Sequence, residues 1–168
     1  MITHILVFAP LAVLLVLAAG WDLASYTIPN FIPVATLASF AVFAVTSGYD
    51  LHLYEVHCLA ALIALIAGFT LFAFGYIGGG DAKLFASVAA WLGLHDLMQY
   101  VVVASVFGGA LTLFLLASRR WPLPAPLASR GWIVRLHEPT AGIPYGVALA
   151  AGGLAILPYT DVFRSVAG

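Results

Sequence analysis

The sequence predicts an all-α polytopic membrane protein: a bundle of six transmembrane helices forming a single membrane-embedded domain over residues 1–168. Three observations lead there. Of the 168 residues, 64% are hydrophobic and only 8% are charged, against about 25% charged in soluble domains. Five uncharged or nearly uncharged stretches reach the length of about 18 residues that a span needs. The basic residues, finally, collect in alternate loops.

The elements follow in order. Residues 1–21 resemble a secretory signal in their apolar run and small-residue end. No Lys or Arg precedes position 83, however, so the positive start of a signal is missing and the segment reads as a retained first helix. Residues 31–49 and 56–80 supply the second and third spans. Residues 84–94 make a short fourth, which crosses only with help from its flanks or from Asp81. Residues 97–118 and 139–160 supply the fifth and sixth. Between these two lies the longest loop, "SRRWPLPAPLASRGWIVRLHEPT", with four Arg, four Pro and two Trp. Arg with Trp suits a segment at the headgroup interface, so the loop reads as an orienting one with interfacial anchors.

Five of the six basic residues fall in loops after odd-numbered spans: Lys83 after the third, and Arg119, Arg120, Arg130 and Arg135 after the fifth. Cytoplasmic loops collect Lys and Arg. Those loops are therefore expected on the cytoplasmic side of the membrane, with both termini external. The bilayer is one expected partner. Nucleic acid is not, since no basic run is long enough to bind it.

No metal and no cofactor is expected. Cys58 stands alone in an apolar stretch, outside any CxxC pattern, and reads as a small buried residue. His4, His52, His57, His95 and His137 show no HxH or HxxxH spacing, and four of them fall in external segments; structural or solvated roles are expected. Asp50, Glu55, Asp96 and Asp161 sit in short external segments where solvation accounts for them, and Glu138 lies in the basic loop.

Two carboxylates remain. Asp22 closes the first span in "GWDLASYTIPN", and Asp81 opens the fourth in "GGGDAKL". Carboxylates near spans are costly unless solvated or functional. Counting spans puts both at the cytoplasmic face at similar depth, where a bundle can bring them together. Asp81 taken singly also fits a helix N-cap. Gly78, Gly79 and Gly80 argue for more than a cap. Three residues without side chains permit φ > 0 and let another backbone come close, which a peptide needs if it is to reach a carboxylate. The three glycines and Lys83 are thus expected to bind substrate. Lys83 also suits a headgroup anchor, and on a helix it points away from Asp81.

These residues resemble the type IV prepilin peptidases. "GGGDAK" is similar to their GxGD motif through Gly78, Gly80 and Asp81, with Lys83 in the place of their usual lysine. "WDLASYTIPN" resembles their first aspartate motif through Asp22 and Ile28-Pro29-Asn30, and "GIPYG" (142–146) looks like the lead-in to their last helix. A basic residue often found between the first Asp and Ile-Pro-Asn is replaced here by Ser25, Tyr26 and Thr27. The resemblance implies an aspartic endopeptidase that cuts prepilins between a basic leader and an apolar helix, with Asp22 and Asp81 catalytic. Two-domain members carry an N-terminal cysteine-paired region linked to N-methylation. Nothing comparable occurs in these residues, which points to the short, peptidase-only type found with Flp (tad) pili and to Flp-type pilins or pseudopilins as substrates. Archaeal preflagellin peptidases share the motifs and stay open as an alternative.

Two carboxylates in one site cannot both ionise cheaply, so one keeps a proton near neutral pH. The ionised one takes a proton from attacking water; the other serves the oxyanion and then the leaving amine. A helix start favours charge on Asp81, which points to it as the base. The rival of another class is a transporter or proton-conducting subunit with Asp22 and Asp81 as ion sites. Such sites favour mid-membrane, broken helices and repeats, whereas both carboxylates here lie at span ends.

Overall fold

The computed structural model describes residues 2–167, with side chains described for 8–164; His4 lies outside the latter. All regular structure among the described residues is helical. Helix α1 spans Ile2–Ser25, α2 Phe31–Thr46, α3 Leu51–Ala73 and α4 Gly79–Ser118. Two short helices follow, α5 (Ala125–Ala128) and α6 (Gly131–His137), then α7 (Tyr145–Ile156), a 3₁₀ turn (Leu157–Tyr159) and α8 (Asp161–Ala167). Three helices are long and apolar enough to cross a membrane, in α1, α3 and α4, and α2 and α7 with its 3₁₀ turn are shorter apolar helices.

Helix α4 is not one rod. At Gly93 the backbone leaves helical geometry, with φ 71° and ψ 179°, and the chain folds back. Phe85 and Tyr100, on either side of the bend, have ring centroids 5.6 Å apart, although fifteen helical steps would separate them by about 22 Å. The two limbs overlap the segments expected at 84–94 and 97–118, with the bend falling inside the first of them. The third segment ends earlier than expected. Helix α3 stops at Ala73, where Gly75 at φ 76° and the Tyr76 amide bonded to the Leu71 carbonyl at 2.9 Å close a Schellman turn. Gly79 and Gly80 therefore belong to the next helix.

Helix packing uses two devices. The first is an aromatic hub on the first limb of α4. Trp91, almost wholly buried, stacks on Phe43 at 5.1 Å, meets Phe8 and Phe40, and donates from Nε1 to the Thr36 carbonyl at 3.0 Å. It thereby joins α1, α2 and α4. The second is close backbone approach, the usual substitute for hydrophobic driving force between helices in lipid. A Cβ on Gly68 would stand 3.0 Å from Ala82 Cα, and one on Gly152 2.8 Å from Ala104 Cα. These contacts draw α3 and α7 tightly onto α4.

Several large apolar side chains point outward, among them Val42, Val45, Ile66, Phe69, Leu113 and Phe114, as suits helices facing lipid. Cys58 is on that outer surface, not buried as expected. In lipid the outward face of a helix is apolar too, so apolar neighbours do not imply burial. Asp96 departs in the other direction. It is 3% exposed, and its Oδ2 accepts the Asp161 backbone N–H at 2.9 Å. It holds the start of α8 against the bend of α4 and is not left to solvent.

Candidate active site

The end of α1 and the start of α4 meet. Asp22 is 4% exposed and Asp81 is 6% exposed. Both line one cavity of about 220 Å³, together with Tyr26, Thr27, Ile28, Gly78, Gly79 and Gly80. Asp22 sits in the last turn of α1, which runs on to Ser25. Asp81 is the third residue of α4 rather than its cap; Gly78 is the N-cap residue. The Gly78 N–H donates to Asp81 Oδ2 at 2.8 Å, so the carboxylate satisfies an otherwise orphaned amide at the helix start. Oδ2 of Asp22 is buried with no hydrogen-bond partner among the described residues.

The glycines act through space, not through unusual torsions. None of the three has positive φ, so the left-handed backbone expected of them is not what they supply. A Cβ on Gly80 would stand 3.0 Å from Ile28 Cβ and 3.2 Å from Ile28 N, so this position admits the chain's own Ile-Pro-Asn segment. On Gly78 a Cβ would lie 3.1 Å from Asp81 Oδ2. The same segment is tied a second time, by Lys83 Nζ donating to Asn30 Oδ1 at 2.8 Å. Lys83 is exposed and borders a different groove, with Asn30, Pro33 and Leu65, away from the carboxylates.

Sequence reading missed two site residues. Gly146, the second residue of α7, lies against Asp22: a Cβ there would be 2.8 Å from Asp22 Oδ2. The Gly146 and Val147 amides face the Asp22 carboxyl, and that of Gly146 also faces Asp81. The positive end of α7 therefore meets the carboxylate pair. "GIPYG" had marked the segment without marking the residue. The second is Tyr26, which lines the cavity and stood out in the sequence only as one of the residues that replace a basic one.

The basic loop is built onto this end of the molecule. Arg119 donates from Nε to the Leu136 carbonyl at 2.8 Å, and from its two Nη to those of Ala141 and Gly142 at 3.0 Å each. Arg135 reaches the Ala24 carbonyl at 3.3 Å. These bonds hold the segment that leads into α7. The histidines with described side chains lie elsewhere. His57 is buried, with Nδ1 on the Ala90 carbonyl at 2.7 Å; His137 Nε2 is 2.7 Å from the Trp121 carbonyl. His95, Asp96 and Asp161 gather at the bend of α4.

Apolar spanning helices with paired buried carboxylates at one cavity define a multi-pass membrane protein with a candidate hydrolytic centre. The family model described as the type IV leader peptidase family matches residues 9–113, and the chain belongs to that family. A prepilin leader peptidase/N-methyltransferase of Burkholderia pseudomallei is 37% identical over 92 residues, covering 55% of this chain and 25% of the relative. One of Bacillus subtilis is 30% identical over 150 residues, covering 83% and 58%. One of Neisseria gonorrhoeae is 29% identical over 107 residues, covering 62% and 33%. The chain thus matches less than two thirds of the length of these relatives. No solved structure matches it.

Proposed function

We propose that the protein is an aspartic endopeptidase that hydrolyses prepilin-like substrates between a basic leader and an apolar helix, with Asp22 and Asp81 as its catalytic pair. The observation that carries the reading is the shared cavity. Two carboxylates 59 positions apart are withdrawn from solvent onto one small space, beside glycines and the positive end of a helix. Buried charge at such cost is retained where it has a function.

One carboxylate is ionised and takes a proton from water as the water attacks the scissile carbonyl carbon. Its partner, protonated, gives its proton to the leaving nitrogen as the C–N bond breaks. No covalent intermediate forms. Charge and hydrogen bonding at the start of α4 suit Asp81 to the base role. The scissile segment enters in extended form, because a helix hides its carbonyls in hydrogen bonds, and it passes the backbone of Gly78 and Gly79.

The family's relatives are named for prepilin leaders, and that supports a substrate of this layout; Flp-type pilins are the form we favour. In the same reading the two limbs of α4 count as separate crossings. On a count of six spans we read the cavity as facing the cytoplasm across the inner membrane, with both termini outside, and the Arg-rich loop supports that orientation.

The test is cleavage by the purified protein in nanodiscs, with the new amino terminus of candidate prepilins mapped. Asp22→Asn and Asp81→Asn are each expected to lower the rate by about 10²- to 10⁴-fold with insertion and melting unchanged. Near-normal cutting by either variant would sink the paired mechanism.

A further inference from the structure

Arg119 is the C-cap residue of α4, where a cation ordinarily complements the helix dipole, yet its N–H groups turn to a different segment. Nε meets the Leu136 carbonyl at 2.8 Å, and the two Nη meet the successive carbonyls of Ala141 and Gly142 at 3.0 Å each. Two neighbouring carbonyls turned to one planar fork hold the peptide between them in a single orientation. Pro144 and Tyr145 follow closely as the cap and first residue of α7, and the amide of the next residue, Gly146, faces both carboxylates. Tyr26 brings the same guanidinium to α1. Its N–H donates to the Asp22 carbonyl at 2.8 Å and closes α1 with a left-handed cap at φ 56°, a position that glycine usually fills. Glycine would relieve that backbone but give up a contact: the Tyr26 hydroxyl is closed to solvent and lies against Arg119. From the same loop Arg135 donates to the Ala24 carbonyl at 3.3 Å, so the end of α1 is held twice.

We propose that Arg119 is a positioning residue for the carboxylate pair. It fixes the lead-in to α7 and, through Tyr26, the end of α1, so that the start of α7 meets Asp22 and Asp81 in one arrangement. The space there is small. A Cβ on Gly146 would stand 2.8 Å from Asp22 Oδ2, so a shift of α7 by the size of one methyl group changes what the carboxylates face. Among the described residues no ion pair joins Arg119 to either aspartate. Its effect runs through the backbone that it holds, and it transfers no proton. This role rests on the peptidase reading above.

Arg119→Lys keeps the positive charge at the end of α4 but replaces a planar fork by a single point, which cannot hold the three carbonyls together. With a prepilin in nanodiscs, kcat is expected to fall about 10²-fold, as displacement of a reacting group by about 1 Å can do. Affinity for an uncleavable prepilin should stay within about twofold, because the loss lies in the chemical step. A kcat near wild type overturns the proposal, and so does an affinity loss that matches the loss of kcat, which marks Arg119 as a substrate contact. Combination with Gly146→Ala tests the route. Where both changes act on one contact, the double variant is no slower than the slower single one. Losses that multiply show that Arg119 does not act through the start of α7, and they overturn the proposal. Should the Lys variant fold poorly, Arg119→Ala leaves a hole that added methylguanidinium can fill. Its kcat is expected to recover about tenfold, the low end of what a hydrogen bond to a charged group is worth; no recovery by the folded protein overturns the proposal. Asp22→Asn and Asp81→Asn in the same assay separate the two readings. Inactive Asn variants beside a fully active Lys variant reject Arg119 and keep the carboxylate pair. An active Asn variant rejects the pair and the role of Arg119 with it.

Discussion

Gly146 at the start of α7 is fitted to Asp22 at the end of α1: a Cβ at 146 would stand 2.8 Å from Asp22 Oδ2 and 2.6 Å from Ile28 Cδ1. Both distances are shorter than atoms tolerate, and both neighbours are side-chain ends, so an added methyl group shifts them rather than backbone. Asp22 lines the cavity, and Ile28 is packed on Gly80.

Gly146→Ala is therefore expected to displace the carboxyl. Overpacking of this kind costs about 1–3 kcal/mol, which the bundle should survive. Cleavage should fall by about 10²-fold, since a misplacement of about 1 Å can cost that much in rate. Wild-type turnover by a folded Gly146→Ala protein would show that this contact does not position Asp22.

Gly93 predicts the opposite pattern. Its φ of 71° admits few other residues, and a Cβ there would stand 3.1 Å from the His57 ring. Strain of about 1–3 kcal/mol falls on the bend of α4, away from the carboxylates. Gly93→Ala should lower the melting temperature by about 4 °C or more while activity per folded molecule stays within about twofold. Unchanged melting would mean that the bend relaxes without cost.

The Lys83–Asn30 bond distinguishes an internal tie from a substrate contact. Both residues are exposed, so the bond should be worth about 1 kcal/mol or less. Lys83→Met and Asn30→Ala are expected to have equal small effects on cleavage, and the double variant should be no worse than either single one. A rise in KM confined to Lys83→Met, additive with Asn30→Ala, would make Lys83 a substrate-binding residue.

Orientation is open to chemical labelling. Single cysteines placed in 123–129, in a Cys58→Ser background, should resist impermeant reagents applied outside the cell, whereas a cysteine at position 52 should react. The reverse pattern would put the cavity on the outer face and remove cytoplasmic leaders from its reach.

Much of the architecture was legible in the residues. Apolar segments announce themselves by length and lack of charge, and the bend at Gly93 falls close to the break expected between 94 and 97, just inside the segment before it. Asp22 and Asp81 stood out because carboxylates are rare in such a chain. Less legible was the side each residue faces. A soluble helix shows its core by alternating polar and apolar faces, but in lipid both faces are apolar, so Cys58 on the outside and Asp96 on the inside were each read the wrong way.

The sequence by itself determined the helical class, the order of the apolar segments, the two carboxylates and the family resemblance. These rest on composition and on short motifs, both local. Tertiary structure decided which residues share the cavity. Gly80 has no side chain because Ile28 lies there, Gly146 because Asp22 does, and Arg119 is bonded to the loop before α7 through the carbonyls of Ala141 and Gly142. Each depends on distances of about 3 Å between segments far apart in the chain, and only helix packing sets such distances.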